Sequence, residues 1–447
     1  MRYITDWHVH SKYSRACSKD LELPKIAEWC ERKGINIVAT GDWTHPKWFA
    51  HLEENLEEVR EGIYRLRTST GGKLLCRAVN KNKSSSLPSL NHSITQPLRR
   101  PTEFMFVTEI SQIYKKGEQT RRVHNLVWSP SLETCKKVNQ ELTKRGFNLK
   151  SDGRPILGID SEALYKLLRE IDDRIIIIPA HAWTPWYAIF GSKSGFNSIE
   201  ECFGSMSKYV YAIETGLSSD PQMNWQLSEL DKVVFISNSD AHSPKNLARE
   251  ANVFEFDAPP TYSDFVRALK EQDRNVFRYT IEFYPEEGKY HFDGCAADLF
   301  CCSPEESIKL GERCPKCKKK LTLGVHHRVE ELSDRKFETV VDRKIPFKSI
   351  IPLAEILAEI YGVRSTTSKK IQLEYTKLTD QIDELTLLLD TPIKTIISIS
   401  SEPTLGEAIR RMRIGEVFKQ PGYDGIYGRI TLFGEFGPKK LNQEKLI

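Results

Sequence analysis

Histidines and acids in this chain fall repeatedly at the ends of short apolar runs. Asp6, His8 and His10 close the first such run, Asp42 and His45 the second, and Glu109 the third. His124 lies at the start of the fourth run, His181 and Glu214 follow the next two, and Asp240 and His242 close the last. Imidazole nitrogens and carboxylate oxygens together suit Zn²⁺, Mn²⁺ or Fe²⁺. One carboxylate can bridge two ions, and ions about 3.5–4 Å apart can activate a water and clamp the oxygens of a phosphate in transfer. The pattern has no catalytic serine or cysteine, so it points to metal-assisted hydrolysis. The candidate metal ligands are His8, His10, Asp42, His45, Glu109, His124, His181, Asp240 and His242, with Asp240, Glu109 and His181 the candidate catalytic groups. Glu214 suits either a ligand or a group that orients one. Two or three divalent ions (Zn, Mn or Mg) are expected.

A second constellation is made of thiols. Of ten cysteines, five (Cys295, Cys301, Cys302, Cys314 and Cys317) fall within residues 295–317. A chain kept in a reducing compartment would use such a cluster for metal before disulfides. Cys314 and Cys317 form a CxxC knuckle, and with Cys295 and Cys302 they would make a closed tetrahedral zinc site. Cys301, His291 and Asp298 are rival ligands. Lys318, Lys319 and Lys320 crowd the knuckle and could neutralise phosphates. Trp183 and Trp186 follow His181 closely, where indole rings could stack on a base.

Elements that would position these groups follow from periodicity. Apolar runs at 3–10, 35–41, 104–110, 123–128, 175–180, 209–214 and 233–239 read as strands. Helical patterns at 23–33, 51–67, 131–145, 161–172 and 262–272 lie between most of them. Such alternation predicts an α/β fold with a parallel sheet and helical crossovers; seven strands suit a closed barrel better than an open sheet, with strand ends that converge on one face. The link between 110 and 123 is too short for a comfortable helical crossover and suits either a hairpin or a distorted part of the barrel. Residues 68–101, rich in Ser, Asn, Lys and Pro, read as a flexible insertion. The expected units are a barrel at 1–274, a zinc-binding module at 275–345 that opens with a hairpin at 276–294, and a helical C-terminal domain at 346–447. Within the last unit, 369–389 reads as one long charged helix. With 447 residues, 39% of them hydrophobic, and a net charge of +4, the chain can fill real cores. It shows no secretory leader and no membrane span, and a cytoplasmic location is expected.

The motifs HSKYSRA, GDWTHP, TEIS, RRVHNLVW, PAHAWTPW, SNSDAHSP, YHFDG, CPKC, HRVEELSDR and PGYDGIYG together resemble the endonuclease Q family, within the polymerase-and-histidinol-phosphatase (PHP) superfamily. That resemblance covers most of the chain and implies a distorted (β/α)7 barrel. It also implies that His8, His10, Glu109 and Asp240 hold one ion, and that Glu109 bridges to a second held by His124 and His181. His45 and His242 would approach a third. Where the superfamily usually places a His or Asp after HxH, this chain offers Cys17 or Asp20. The implied activity is DNA repair: hydrolysis of the phosphodiester 5′ of hypoxanthine, uracil, xanthine or an abasic site, leaving 3′-hydroxyl and 5′-phosphate. The expected partner is double- or single-stranded DNA with such a lesion. A sliding clamp is a further candidate partner, and a monomer is expected. The enzyme alternative, a PHP phosphatase of small phosphomonoesters, leaves the C-terminal 190 or so residues without a task. A DNA-binding module on an inactive barrel is the non-enzyme alternative.

Overall fold

The computed structural model describes residues 1–67 and 100–434. Residues 68–99, nearly all of the expected insertion, lie outside the described residues. The fold is mixed α/β, as the alternating pattern predicts. Ile37–Ala39, Ile176–Pro179 and Val234–Ile236 are buried at every position, which is why they read as unbroken apolar runs.

Hydrogen bonds gather the strands into several sheets among the described residues. The largest runs Phe347–Ser349, Phe277–Glu282, Ala251–Glu255, Arg2–Asp6, Ile37–Ala39, Glu103–Met105, Ile63–Leu66, Leu56–Arg60. Its centre is parallel, with Arg2–Asp6 beside Ile37–Ala39 and that strand beside Glu103–Met105. A second sheet holds Ile156–Leu157, Val107–Lys116, Gln119–Trp128 and Ile176–Pro179. Ala212–Glu214 and Val234–Ile236 make a parallel pair of their own. The short link after Ile110 is indeed a hairpin: Val107–Lys116 and Gln119–Trp128 pair antiparallel along their whole length.

Helices flank the sheets with local signals at their ends. Ser131 and Asp160 accept backbone N–H bonds at the starts of Leu132–Lys144 and Ser161–Ile171, and Thr261 and Asp264 form a capping box on Tyr262–Lys270.

Three expectations are corrected. The helix expected over 51–67 ends at Asn55, and the rest is a hairpin, Leu56–Arg60 with Ile63–Leu66. The Glu61-Gly62 turn and the Val, Ile and Tyr beside it favour strands there. The hairpin expected at 276–294 does not form. Phe277–Glu282 instead joins the large sheet, antiparallel to Ala251–Glu255 and parallel to Phe347–Ser349. The long helix expected over 369–389 breaks into Lys369–Thr379 and Glu384–Leu389, because Asp383 caps a new start through the Thr386 N–H. One continuous apolar core runs from the sheets into the C-terminal helices, and a separate small one holds Cys295, Cys302, Cys314 and Leu321. Among the described residues, no helix is long and apolar enough to cross a membrane.

Candidate metal centre

The strand ends bring His8, His10, Glu109 and Asp240 together, with one ligand atom from each within 4.8 Å of the others. Glu109, His124 and His181 form a second such group. Glu109 belongs to both. Its Oε2 lies 3.4 Å from His8 Nε2 and 3.3 Å from His10 Nε2. Its Oε1 lies 2.5 Å from His124 Nδ1 and 3.2 Å from His181 Nε2. The two oxygens of one carboxylate therefore face different groups, the arrangement that a bridging ligand needs.

Local backbone aims these side chains. Glu109 and His124 come from the two strands of the long hairpin, where Ser111 pairs with His124 and Glu109 with Leu126. Asp42, His181 and Asp240 have φ of 41°, 29° and 46°, left-handed values uncommon for non-glycine residues. Three such positions at one site fit a backbone held in strain for function. Gly216, at φ 62°, passes so close to His181 that a Cβ there would sit 2.6 Å from the histidine's own. Only glycine fits.

Further carboxylates hold the histidines. Both oxygens of buried Glu214 lie 3.0 Å from His8 Nδ1. Glu214 also accepts the His181 backbone N–H at 2.7 Å and an Asn238 amide N–H at 2.8 Å. Glu214 is thus an orienting group, one of the two roles its position allowed. Asp42 plays the same part for His10, at 3.1 Å from Nδ1, and accepts from Ser11 and Ser14 through its other oxygen. Asp42, expected as a ligand, stands outside the two groups of ligand atoms, with its oxygens facing His10 and the serines. A carboxylate on Nδ1 fixes the tautomer that leaves Nε2 free for a cation. His8 Nε2 is buried and has no hydrogen-bond partner. An orphaned imidazole nitrogen beside two carboxylates is a donor set that fits a divalent ion.

His45 and His242 join neither group. The His45 ring stacks on Tyr13 with centroids 4.5 Å apart. His242 Nδ1 lies 2.9 Å from the Asp240 carbonyl, and its ring is 4.8 Å from that of His10. Arg154 was not foreseen. Its guanidinium Nη1 donates to Glu109 Oε2 at 3.0 Å. The loop carrying it has no periodicity, so only the tertiary fold reveals the contact.

Charge in the cluster is strongly biased. Burial opposes protonation of His8, but Glu214, Asp240 and Glu109 outweigh it and hold its pKa well above the ordinary value. Burial disfavours ionised Glu109, yet His124, Arg154 and His8 hold its carboxyl well below the usual range. Asp240 is likewise lowered, its burial outweighed by His8 and His10. His124 goes the other way: burial pushes it down to about 4, so it is a neutral imidazole at pH 7.

The thiol cluster differs from expectation at one position. Cys295, Asp298, Cys314 and Cys317 come together, with Asp298 where Cys302 was expected. Asp298 Oδ2 is 3.1 Å from Cys314 Sγ and 3.5 Å from Cys295 Sγ. In the ribbon Cys295 pairs with Phe300 and Cys302 with Asp293, and Cys302 packs with Cys295 and Cys314 in the small core. Three thiols and a carboxylate can also make a tetrahedral zinc site. Lys318, Lys319 and Lys320 are all exposed beside it. Trp183 is 1% exposed and donates its indole N–H to Asn224 at 2.7 Å, so it packs in the core and cannot stack on a base. Trp186 is 41% exposed.

A mixed α/β scaffold with two histidine–carboxylate groups joined by one glutamate defines the class of protein. The profile of the MJ0043 C-terminal domain family matches residues 352–416. Protein MJ0043 of Methanocaldococcus jannaschii is 31% identical over 300 residues, 64% of this chain and 36% of that protein, so the chain spans about a third of its length. YqxK of Bacillus subtilis is 28% identical over 92% of this chain and 93% of its own. Among solved structures, the lesion-specific endonuclease PfuEndoQ of Pyrococcus furiosus aligns with a TM-score of 0.79 at 27% identity, covering 99% of both chains. An endonuclease Q in complex with a 27-mer duplex substrate, with an abasic lesion at its active site, aligns at 0.78 and 28% identity, covering 97% of this chain and 98% of that one. These alignments, over nearly the whole of both chains, support a place for the chain in the endonuclease Q family.

Proposed function

We propose that the chain is a metal-dependent DNA-repair endonuclease that hydrolyses the phosphodiester 5′ of a deaminated base or an abasic site. The observation that carries this reading is Glu109, shared by two ligand groups, in a chain that aligns over nearly its whole length with endonuclease Q structures. His8, His10, Glu109 and Asp240 would hold one divalent ion, and Glu109, His124 and His181 another. Such ions supply Lewis acidity, making water a nucleophile at neutral pH and drawing off charge that builds on the phosphate.

The chain's own residues prepare that chemistry. Glu214 and Asp42 hold the His8 and His10 rings with Nε2 turned inward. Asp240 has a side chain 28% exposed where Glu109 is fully buried, so Asp240 is the more open of the two to an arriving phosphate. Cys295, Asp298, Cys314 and Cys317 would hold a structural zinc, and the lysines beside them would meet the DNA backbone.

Labelled duplex DNA with one deoxyinosine, deoxyuridine or abasic site, incubated with Mg²⁺, Mn²⁺ or Zn²⁺, tests the reading. A single nick immediately 5′ of the lesion, absent in Asp240→Asn, is expected. An intact strand with every ion would overturn it.

A further inference from the structure

The loop after His181 touches both histidines of the second group. Thr184 Oγ1 shares a hydrogen bond of 3.2 Å with His181 Nδ1 and donates to the Trp186 carbonyl at 2.9 Å. The Tyr187 carbonyl accepts the His124 N–H at 2.9 Å, and the two rings lie 4.7 Å apart. Trp186 sits between these contacts, yet its own ring turns outward. Trp7, Trp43, Trp48, Trp128, Trp183 and Trp225 are nearly wholly buried, so an indole 41% exposed beside the cluster is an exception.

Trp186 does not stand alone. Its ring meets that of Tyr290 edge-on, with centroids 6.0 Å apart. Lys289 Nζ lies 5.6 Å from the Tyr290 ring centroid and 5.8 Å from that of Tyr427. Tyr427, in the PGYDGIYG turn, is 73% exposed. Two tyrosines and a lysine thus extend the aromatic surface away from the ligand cluster, although they come from distant parts of the sequence.

The backbone explains why these rings are held in place. Gly422 N–H donates to the Glu286 carbonyl at 2.8 Å, Gly425 N–H to Lys289 at 2.9 Å and Gly428 N–H to Glu287 at 3.0 Å. A Cβ on Gly428 would collide with the Glu286 carbonyl, so the turn docks this closely only with glycine there. The PGYDGIYG turn is therefore locked against residues 286–289. A buried ring would need no such display, whereas Tyr427 keeps a solvent-facing π surface on a fixed backbone. Aromatic faces interleaved with a cation suit unpaired nucleobases, since every base has a π face and every linkage a negative charge.

We propose that Trp186, Tyr290 and Tyr427, with Lys289 between them, form a stacking platform for unpaired bases of the DNA strand next to the scissile linkage. This rests on the nuclease reading above. The platform receives bases on one side of the ligand cluster, reads no sequence, and takes up nucleotides that have left the duplex stack beside a lesion.

The test uses the full chain loaded with Mn²⁺ and abasic-site duplexes carrying 2-aminopurine on one side of the lesion or the other. Wild-type protein should change 2-aminopurine fluorescence at one of the two positions and nick the strand. Trp186→Ala and Tyr427→Ala should each weaken binding about tenfold and abolish the fluorescence change, while Tyr427→Phe retains it. Lys289→Gln should lower the slope of log Kd against log salt by about one. All of these positions are partly or fully exposed, so unchanged thermal midpoints and metal content separate the effect from misfolding. A wild type that nicks, with alanine variants that bind and stack like it, overturns the platform alone. A wild type that neither binds nor nicks any lesion duplex overturns the nuclease reading, and the platform falls with it.

Discussion

Replacing Glu214 by glutamine removes one charge from a place where the structure makes that charge count twice. The carboxylate holds His8 Nδ1 in one ligand group and the backbone N–H of His181 in the other, with Asn238 as a third donor. A glutamine amide has a single oxygen, and its NH2 must face at least one of those donors. One buried donor then goes unsatisfied, costing about 1–3 kcal/mol of stability. His8 also loses the foremost charge that opposes its burial, so its ring is less firmly held in the metal-binding tautomer. Carboxylates of this kind contribute about 10–100-fold to metal affinity. That is about 1.4–2.8 kcal/mol per ion. Because Glu214 touches both groups, both ions should weaken together. Competition against a chelator, with Mn²⁺ or Zn²⁺ as the titrant, reads the two affinities directly, and thermal unfolding without metal reads the stability term. Glu214→Gln protein with unchanged affinity at both sites would refute the assignment of Glu214 as an orienting group. Loss at only one would show that its bond to His181 carries no weight.

Other outcomes follow from the same geometry. Arg154→Ala removes the guanidinium on Glu109 and should lower nicking by about a hundredfold while metal content holds, as expected of a donor to developing charge; parallel loss of metal would assign it to scaffolding. Asp298→Ala should reduce bound zinc measured by elemental analysis, whereas Cys302→Ser should not; equal losses would restore Cys302 as a ligand. Burial pushes Glu282 up to about 8, so its neutral form stabilises the fold below its unfolded value of 4.5 and that contribution is lost as pH rises through about 8. The thermal midpoint of wild type should therefore fall relative to Glu282→Gln between pH 6 and pH 9, and a constant difference would contradict this.

Much of the site was legible because its ligands sit where periodicity changes. His8 and His10 are two apart on an extended run, so they face one side. Glu109 and His124 flank a link too short for a comfortable helical crossover. What escaped depended on contacts between distant segments. Arg154 lies in a loop with no period. Asp42 and His8 look alike in sequence as strand-end polar residues, and only the serines packed on Asp42 separate the holder from the held. Trp183 and Trp186 share one short loop, yet Asn224 draws the first into the core. The 51–67 stretch misled because charges spaced along it suit a helix face, while the turn at Glu61-Gly62 outweighs them. At the thiol cluster Asp298 and Cys302 both lie close, Asp298 beside Cys295 and Cys314 and Cys302 packed with the same two thiols, so spacing alone did not choose between them.

The strands Phe277–Glu282 and Phe347–Ser349 lie side by side in the large sheet, and everything from residue 283 to 346, the thiol cluster included, hangs between them. The chain leaves one strand and returns as its neighbour. A segment tied at both ends to one rigid sheet has little freedom to swing, unlike a domain on a flexible tether. Its lysines and the strand-end cluster are therefore carried on one connected framework. A polymer gripped at the first point is thus presented to the second at high effective concentration, without a search through linker conformations. Lengthening either tie with flexible residues would turn one concerted engagement into two successive ones, and the dwell time of the protein on its polymer would shorten accordingly.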